Sequence, residues 1–322
     1  MSVPVFGVCF HREQPAADIA QQARAVEQAG YDELWVIEDL FYTAGPSLAA
    51  AALTATDALG VGIGIMPAAV RNPVATAMEI STLASLAPGR FHAGVGHGVQ
   101  DWMAQIGARE ASPVTLLEES IVAVRRLLAG ERFSSDGRYV TLDDVALVAP
   151  PNPTPPVSAG VRGPKSLQMS GRCADGTILA ELCSPAYLRW AREQIELGGG
   201  GASHRITVFC SIAVSADGDG ARRAMTPFVA GVFADAPIGV RMLPFYPELE
   251  AKAEASSWPE AIAAMPVDWW SDLGPIGTPE DAAGYLTAMS DAGADALAVF
   301  PDPDDPITGA RNFAQQVLEH LR

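Results

Sequence analysis

Apolar positions along the chain fall into short uninterrupted runs, each behind a stretch in which they recur every three or four residues. In the first such stretch Ile19, Ala20, Ala23 and Val26 form one helical stripe, and Gly30 offers the left-handed cap that ends a helix. A buried strand follows, Leu34-Trp35-Val36-Ile37, ending at Glu38-Asp39. The same unit recurs late in the chain. Thr278-Pro279-Glu280-Asp281 opens a helix with a hydroxyl cap and a proline at its first position, Ala292-Gly293-Ala294-Asp295 ends it, and Leu297-Ala298-Val299-Phe300 leads to Pro301-Asp302. A looser copy runs from Gly171-Arg172-Cys173-Ala174-Asp175 into Gly176-Thr177-Ile178-Leu179-Ala180-Glu181.

Apolar strands without strict alternation, each preceded by an amphipathic helix, predict a parallel sheet covered by helices. Strands are expected near 3–10, 33–38, 60–66, 91–97, 157–160, 177–181, 206–214 and 295–300, with a closing helix over Arg311 to Leu321. That count matches an α/β fold of the (β/α)8 TIM-barrel type, read as one domain over 1–322; a doubly wound open sheet is the alternative. Two stretches exceed a minimal barrel. Residues 131–156 read as a hairpin turning at Ser135-Asp136-Gly137 with a proline-rich exit from Pro150 to Pro156, and 236–275 carries Pro, Trp and acidic groups without clear periodicity. Both are expected as insertions over a barrel end, where long connections form substrate walls.

Composition narrows the function classes. At 322 residues and 49% hydrophobic content the chain can bury a large core, while a net charge of −17 leaves no broad basic surface for nucleic acid or an anionic membrane. Met1 to Pro4 lacks signal-peptide character and no apolar run is long enough to span a bilayer, so a cytoplasmic location is expected. Cys9, Cys173, Cys183 and Cys210 are scattered without a Cys-x-x-Cys pair, which points to buried thiols and away from disulfides or a zinc site; no metal is expected.

In a barrel of this kind chemistry comes from the strand C-termini, which here carry Cys9-Phe10-His11, Glu38-Asp39, Gly64-Ile65-Met66 and Gly94-Val95-Gly96-His97-Gly98. The glycines permit a flat ligand or a phosphate to approach the backbone, or simply let the strand turn. The fifth strand leads into Gly160-Val161-Arg162-Gly163-Pro164-Lys165-Ser166, where a helix start with two cations favours an anion; an ordinary capped turn with solvated charges is the alternative. His97, between two glycines at a strand end, suits a ligand contact better than a packing role. His92 is expected in the barrel wall, and His204 and His320 at the surface. Of the pair Glu38 and Asp39, Asp39 is favoured for proton transfer or ring contact, because strand alternation rarely aims both neighbours inward. No Gly-x-Ser-x-Gly elbow, P-loop, His-Glu-x-x-His or EF-hand pattern is present.

Taken in order, Arg71-Asn72-Pro73-Val74-Ala75-Thr76-Ala77, Leu83-Ala84-Ser85-Leu86-Ala87-Pro88-Gly89-Arg90 and Gly94 to Gly98 resemble the third and fourth barrel strands of the bacterial luciferase-like superfamily. Gly163-Pro164-Lys165-Ser166-Leu167 with Ala174-Asp175-Gly176 resembles its cofactor-phosphate region, and Ile276 to Asp281 its last helix. Gly-Pro-Lys followed by Ala-Asp-Gly is most similar to the deazaflavin branch, which contains methylenetetrahydromethanopterin reductase. The resemblance implies a homodimeric hydride-transfer enzyme using coenzyme F-420. It places a non-prolyl cis peptide at Gly64-Ile65 beneath the tricyclic ring, with Met66 beside it. It sets Asp39 against the ring, Gly96, His97 and Gly98 along the cofactor, and Gly160 and Arg162 to Ser166 around its phosphate. Asp39 and His97 are then the candidate catalytic residues. Leu40 and Val99 stand where several relatives carry a histidine and a glutamate, so those proton-transfer roles do not carry over. Gln100, Asp101, His97 and Tyr42 are the local substitutes.

The leading expectation is a reductase or dehydrogenase passing a hydride between the deazaflavin and a small organic substrate. An FMN-dependent monooxygenase fed by a separate reductase, and a non-catalytic flavin-binding protein, share the same barrel. The substrate walls are expected from 236–275 and the loop after Asp39.

Overall fold

The computed structural model describes residues 4–321; Val3, the expected start of the first strand, lies outside them. Eight strands form a closed parallel barrel: β1 (Val5–Phe10), β2 (Glu33–Val36), β3 (Gly60–Pro67), β4 (Phe91–Gly96), β5 (Val157–Gly160), β6 (Gly176–Leu179), β7 (Arg205–Ser211) and β8 (Ala296–Phe300). Each pairs with the next, and β8 returns to β1 in the register Val5↔Ala296 to Val8↔Val299, which decides for the barrel over the open sheet. The expected strand 206–214 breaks at Ile212. Ala213–Val214 instead pairs with Ile276–Gly277 in a small sheet above the barrel.

The recurring Asp before a strand has a structural role. Asp32, Asp175 and Asp295 each accept a backbone N–H from the first or second residue of the preceding barrel strand, Phe6, Val157 and Ile206 respectively, at 2.9, 3.0 and 2.8 Å. Their own N–H groups bond back to the carbonyls of the same three residues, so each carboxylate clips two strands together at the barrel floor. Gly30, at φ 80°, supplies the left-handed cap before the first clip, and Thr278 forms a full capping box with Asp281 before the last helix.

Alternation along the strands separates two packings. Phe6, Val8 and Phe10 of β1 face the helical layer, whereas Cys9, Trp35, Ile178, Phe209 and Ala298 form a separate cluster inside the barrel. Beneath it Glu33 accepts a hydrogen bond from Trp35 Nε1 at 2.9 Å and pairs with Arg205, while His92 lies 3.2 Å from the same carboxylate. His92 is thus a barrel-wall residue. His204 is not at the surface: it is buried, with Nε2 2.8 Å from the Thr177 hydroxyl. Its glycine-rich approach reads as exposed loop, yet the chain turns inward to start β7. All four cysteines are buried free thiols, and burial pushes Cys173 and Cys210 up to about 12.

The two insertions differ from expectation in what they line. The hairpin of Phe133–Asp136 and Thr141–Val145 lies along helix Pro113–Leu128, where Glu119 accepts the N–H groups of Arg138, Tyr139 and Val140. Residues 236–275 are helical: Ile238–Arg241, Tyr246–Ala255, Trp258–Ala263 and the 3-10 segment Val267–Asp272. With helix Asp219–Asp235 they enclose a second core around Val229, Phe233, Leu249, Ile262 and Trp270. Neither insertion lines the barrel-mouth cavity, since the first packs outside a helix and the second packs behind Asp219–Asp235.

Among the described residues no helix is long and apolar enough to cross a membrane. The barrel interior yields a direct test. A Cβ at Gly62 would lie within 2.5 Å of the buried Trp35 ring, so Gly62→Ala is expected to cost about 1–3 kcal/mol by overpacking. Urea unfolding measures it, and Trp35→Phe should recover part of the loss in the double variant.

Candidate active site

The strand C-termini open into a cavity of about 1360 Å³. Of the residues singled out from sequence, Asp39, Gly64, Ile65, His97, Gly98, Gly160, Arg162, Gly163 and Ser166 line it. Met66, Gly96, Pro164 and Lys165 do not. Met66 alternates into the helical layer and is 1% exposed, Gly96 is covered by Ile65, and Pro164 and Lys165 are exposed away from the cavity.

The most specific feature is the seat of Ile65. The Gly64-Ile65 peptide is cis. Ile63 pairs with Ala93 and Met66 with Val95, so Gly64 and Ile65 stand opposite the single residue Gly94, a bulge that turns Ile65 toward the mouth. Its side chain then occupies a slot without side chains. A Cβ at Gly96 would lie 2.7 Å from Ile65 Cδ1, one at Gly160 2.6 Å from Cγ2, and one at Gly94 3.1 Å from Cγ2. The Gly-x-Gly of β4 therefore admits a side chain from β3, a role outside both readings of those glycines from sequence. The half-buried upper face of Ile65 remains on the cavity wall.

Two carboxylates stand beside this platform. Asp39 accepts a 2.6 Å hydrogen bond from Arg12, which also pairs with Glu13 at 2.7 Å and lies 4.8 Å from the centre of the Tyr42 ring. Glu38, contrary to the preference for Asp39 alone, also lines the cavity, because β2 ends at Val36 and strand alternation no longer applies. Glu38 is clamped by Arg71; burial nevertheless raises its carboxyl above the usual range, with Arg71 opposing.

His97 joins the end of β4 to the helix after β5. Its Nε2 is 3.3 Å from the Ser166 hydroxyl. Burial pushes the imidazole below its ordinary range; Nδ1 makes no well-formed hydrogen bond, and the nearby Pro113 backbone opposes only part of the shift. Helix Pro164–Cys173 begins at Gly163 with no side-chain cap, while Tyr187 Oη donates to the Arg162 carbonyl at 2.7 Å and fixes the turn. Uncapped N–H groups, the Ser166 hydroxyl and Arg162 make this a place for an anion.

Among the four substitutes for the missing proton donors, only His97 lines the cavity; Gln100 instead donates to the His97 carbonyl at 3.2 Å. Sequence reasoning placed His11 at a strand end without giving it a role; it lines the cavity with Nε2 2.7 Å from the Pro301 carbonyl. Glu181, Trp102, Phe209, Phe300 and one face of helix Asp219–Asp235 also line it and were missed. For that helix, Ala221, Met225 and Phe228 recur at helical spacing, the signal that could have found it. Among the described residues no group of His, Cys, Asp and Glu is placed to hold a metal ion.

The luciferase-like monooxygenase family profile matches residues 3–296. The chain belongs to that family. It is 30% identical to an F-420-dependent hydroxymycolic acid dehydrogenase of Mycobacterium tuberculosis, across 98% of this chain and 88% of the relative. It is 28% identical to the 5,10-methylenetetrahydromethanopterin reductase of Methanolobus tindarius, over 72% of each. Among solved structures it resembles the coenzyme F-420-dependent tetrahydromethanopterin reductase of Methanopyrus kandleri, with TM-score 0.83, 20% identity and 100% coverage of both chains.

The lowered pKa of His97 fixes a pH dependence. The unfolded chain binds the proton more tightly, so stability from this group is complete above about 6.5 and lost as pH falls toward the depressed native value. Imidazole NMR is expected to give a midpoint below 6.5 for His97, and His97→Gln to reduce the acid-side loss of stability. A midpoint at or above 6.5 contradicts the burial argument.

Proposed function

We propose that this protein is an oxidoreductase that uses coenzyme F-420 to move a hydride to or from a small organic substrate. The observation that carries the reading is the pairing of a protruding apolar platform, Ile65 in its glycine slot, with an uncapped helix start bearing Arg162 and Ser166 on the same cavity. That combination suits a flat tricyclic ring with a phosphate, and the donors present fit both. When bound, the deazaflavin supplies a two-electron hydride centre.

The chain's own residues would orient and protect that chemistry. Ile65 supports one ring face, and Arg162, Ser166 and the first free N–H groups of helix Pro164–Cys173 hold the phosphate. Gly64, Gly98, Gly160 and Gly163 keep those walls close. Asp39, oriented by Arg12, would face the ring. His97, neutral at pH 7, is a cavity-lining group able to exchange a proton at Nε2 through or beside Ser166. Leu40 and Val99, which both line the wall, supply bulk where the resemblance puts a histidine and a glutamate in several deazaflavin relatives, which supports a proton route different from theirs.

The family's description as monooxygenases supports a second reading, in which reduced FMN from a separate reductase occupies the same wall. Titration of the purified protein with each cofactor separates them. Saturable binding of coenzyme F-420 with weaker FMN binding is expected, and Arg162→Ala should weaken F-420 about tenfold or more, the worth of a charged hydrogen bond. Tight FMN binding without F-420 binding overturns the reading.

A further inference from the structure

The mouth cavity continues past the proposed cofactor wall, and its far side has a different chemistry. In the barrel β7 lies opposite β3, so the helices that follow β7 and β8 face the Ile65 platform across the opening. Helix Asp219–Asp235 presents Ala221, Ala224, Met225 and Phe228 to the cavity, and helix Pro306–Gln316 presents Asn312 and Phe313. Ala221 to Phe228 spans two helical turns, about 10 Å of mostly apolar wall. Phe228 is left 37% exposed on it.

The cations, not the acids, divide the cavity in the same direction: carboxylates line both sides, Glu38, Asp39 and Glu181 near the platform and Asp235 and Asp302 beyond it. Among the described residues its only lysine or arginine linings are Arg12, committed to Glu13 and Asp39, and Arg162 at the helix start. The far lobe contributes Asp235 and Asp302, neither in an ion pair among the described residues, and the nearby Arg222 is consumed by Asp219 and Asp281 without reaching the cavity. An anionic group entering there would meet like charge and no cationic partner.

We infer that the lobe between helices Asp219–Asp235 and Pro306–Gln316 is the substrate arm of the site, and that it selects an elongated, mainly apolar molecule without negative charge. The placement of the reacting end next to Ile65 rests on the cofactor reading above; the selectivity of the lobe rests only on its own residues. Met225 and Phe228 set chain-length preference, and Asp235 and Asp302 exclude carboxylates and phosphates.

The test is calorimetric titration of the full chain, without cofactor, using methyl ketones of increasing chain length and keto acids of matching length with a terminal carboxylate. Ketone affinity is expected to rise about threefold per methylene until the lobe is filled, with the keto acids at least tenfold weaker. Met225→Ala with Phe228→Ala should flatten the length dependence, Ala224→Trp, at an exposed position, should truncate it, and Asp235→Lys should recover keto-acid binding. Length-independent binding, equal binding of keto acids, or a slope untouched by both lobe variants overturns the inference. A parallel F-420 titration keeps the two readings apart. A preserved ketone slope without F-420 binding upholds the lobe and removes the cofactor, whereas F-420 binding without a slope removes the lobe alone.

Discussion

The interior of an eight-stranded barrel has room for only a few large side chains, and that volume limit organises this molecule. Trp35 and Phe209 reach inward from β2 and β7, and β3 gives way with Gly62 and Gly64, whose absent Cβ atoms would collide with those rings. Nearer the mouth Ile178 and Ile65 take the space left by Gly94, Gly96 and Gly160. The platform at the mouth is therefore the top course of the core packing. A feature held by strands and interlocked side chains is positioned more sharply than one carried on a loop.

Charge is arranged against this apolar framework with few loose ends. Arg71 holds Glu38, Arg12 holds Asp39, and Arg205 holds Glu33 at the floor, so these three acidic groups at the barrel are paired even though the chain carries −17 overall. Arg162 at the helix start has no such commitment among the described residues, and that asymmetry gives the cavity one end suited to an anion and one suited to an uncharged chain.

Much of the barrel was legible because parallel strands buried on both faces read as apolar runs between amphipathic helices. Leu34 to Ile37 and Leu297 to Phe300 stood out for that reason, and the Asp in front of them was visible as a motif. Its function was not, since Asp32, Asp175 and Asp295 act on neighbouring strands, a relation absent from local spacing. The same limit hid the purpose of Gly94 and Gly96, which depends on a side chain from β3. Glu38 was set aside because alternation was carried past the end of β2, and His204 because its glycine-rich approach resembles exposed loop. Residues 236–275 form short, proline-interrupted helices that share a core with a neighbour, so no one of them displays a long apolar stripe.

The claim on which the functional account turns is that the exposed face of Ile65 carries a planar cofactor ring. Methyl NMR of isoleucine-labelled protein during titration with coenzyme F-420 tests it most directly. The account predicts that the Ile65 methyls, lying under an aromatic face, shift strongly and saturate with binding, while Ile80 and Ile121 of the helical layer stay put. Saturable cofactor binding that leaves Ile65 unmoved would contradict it.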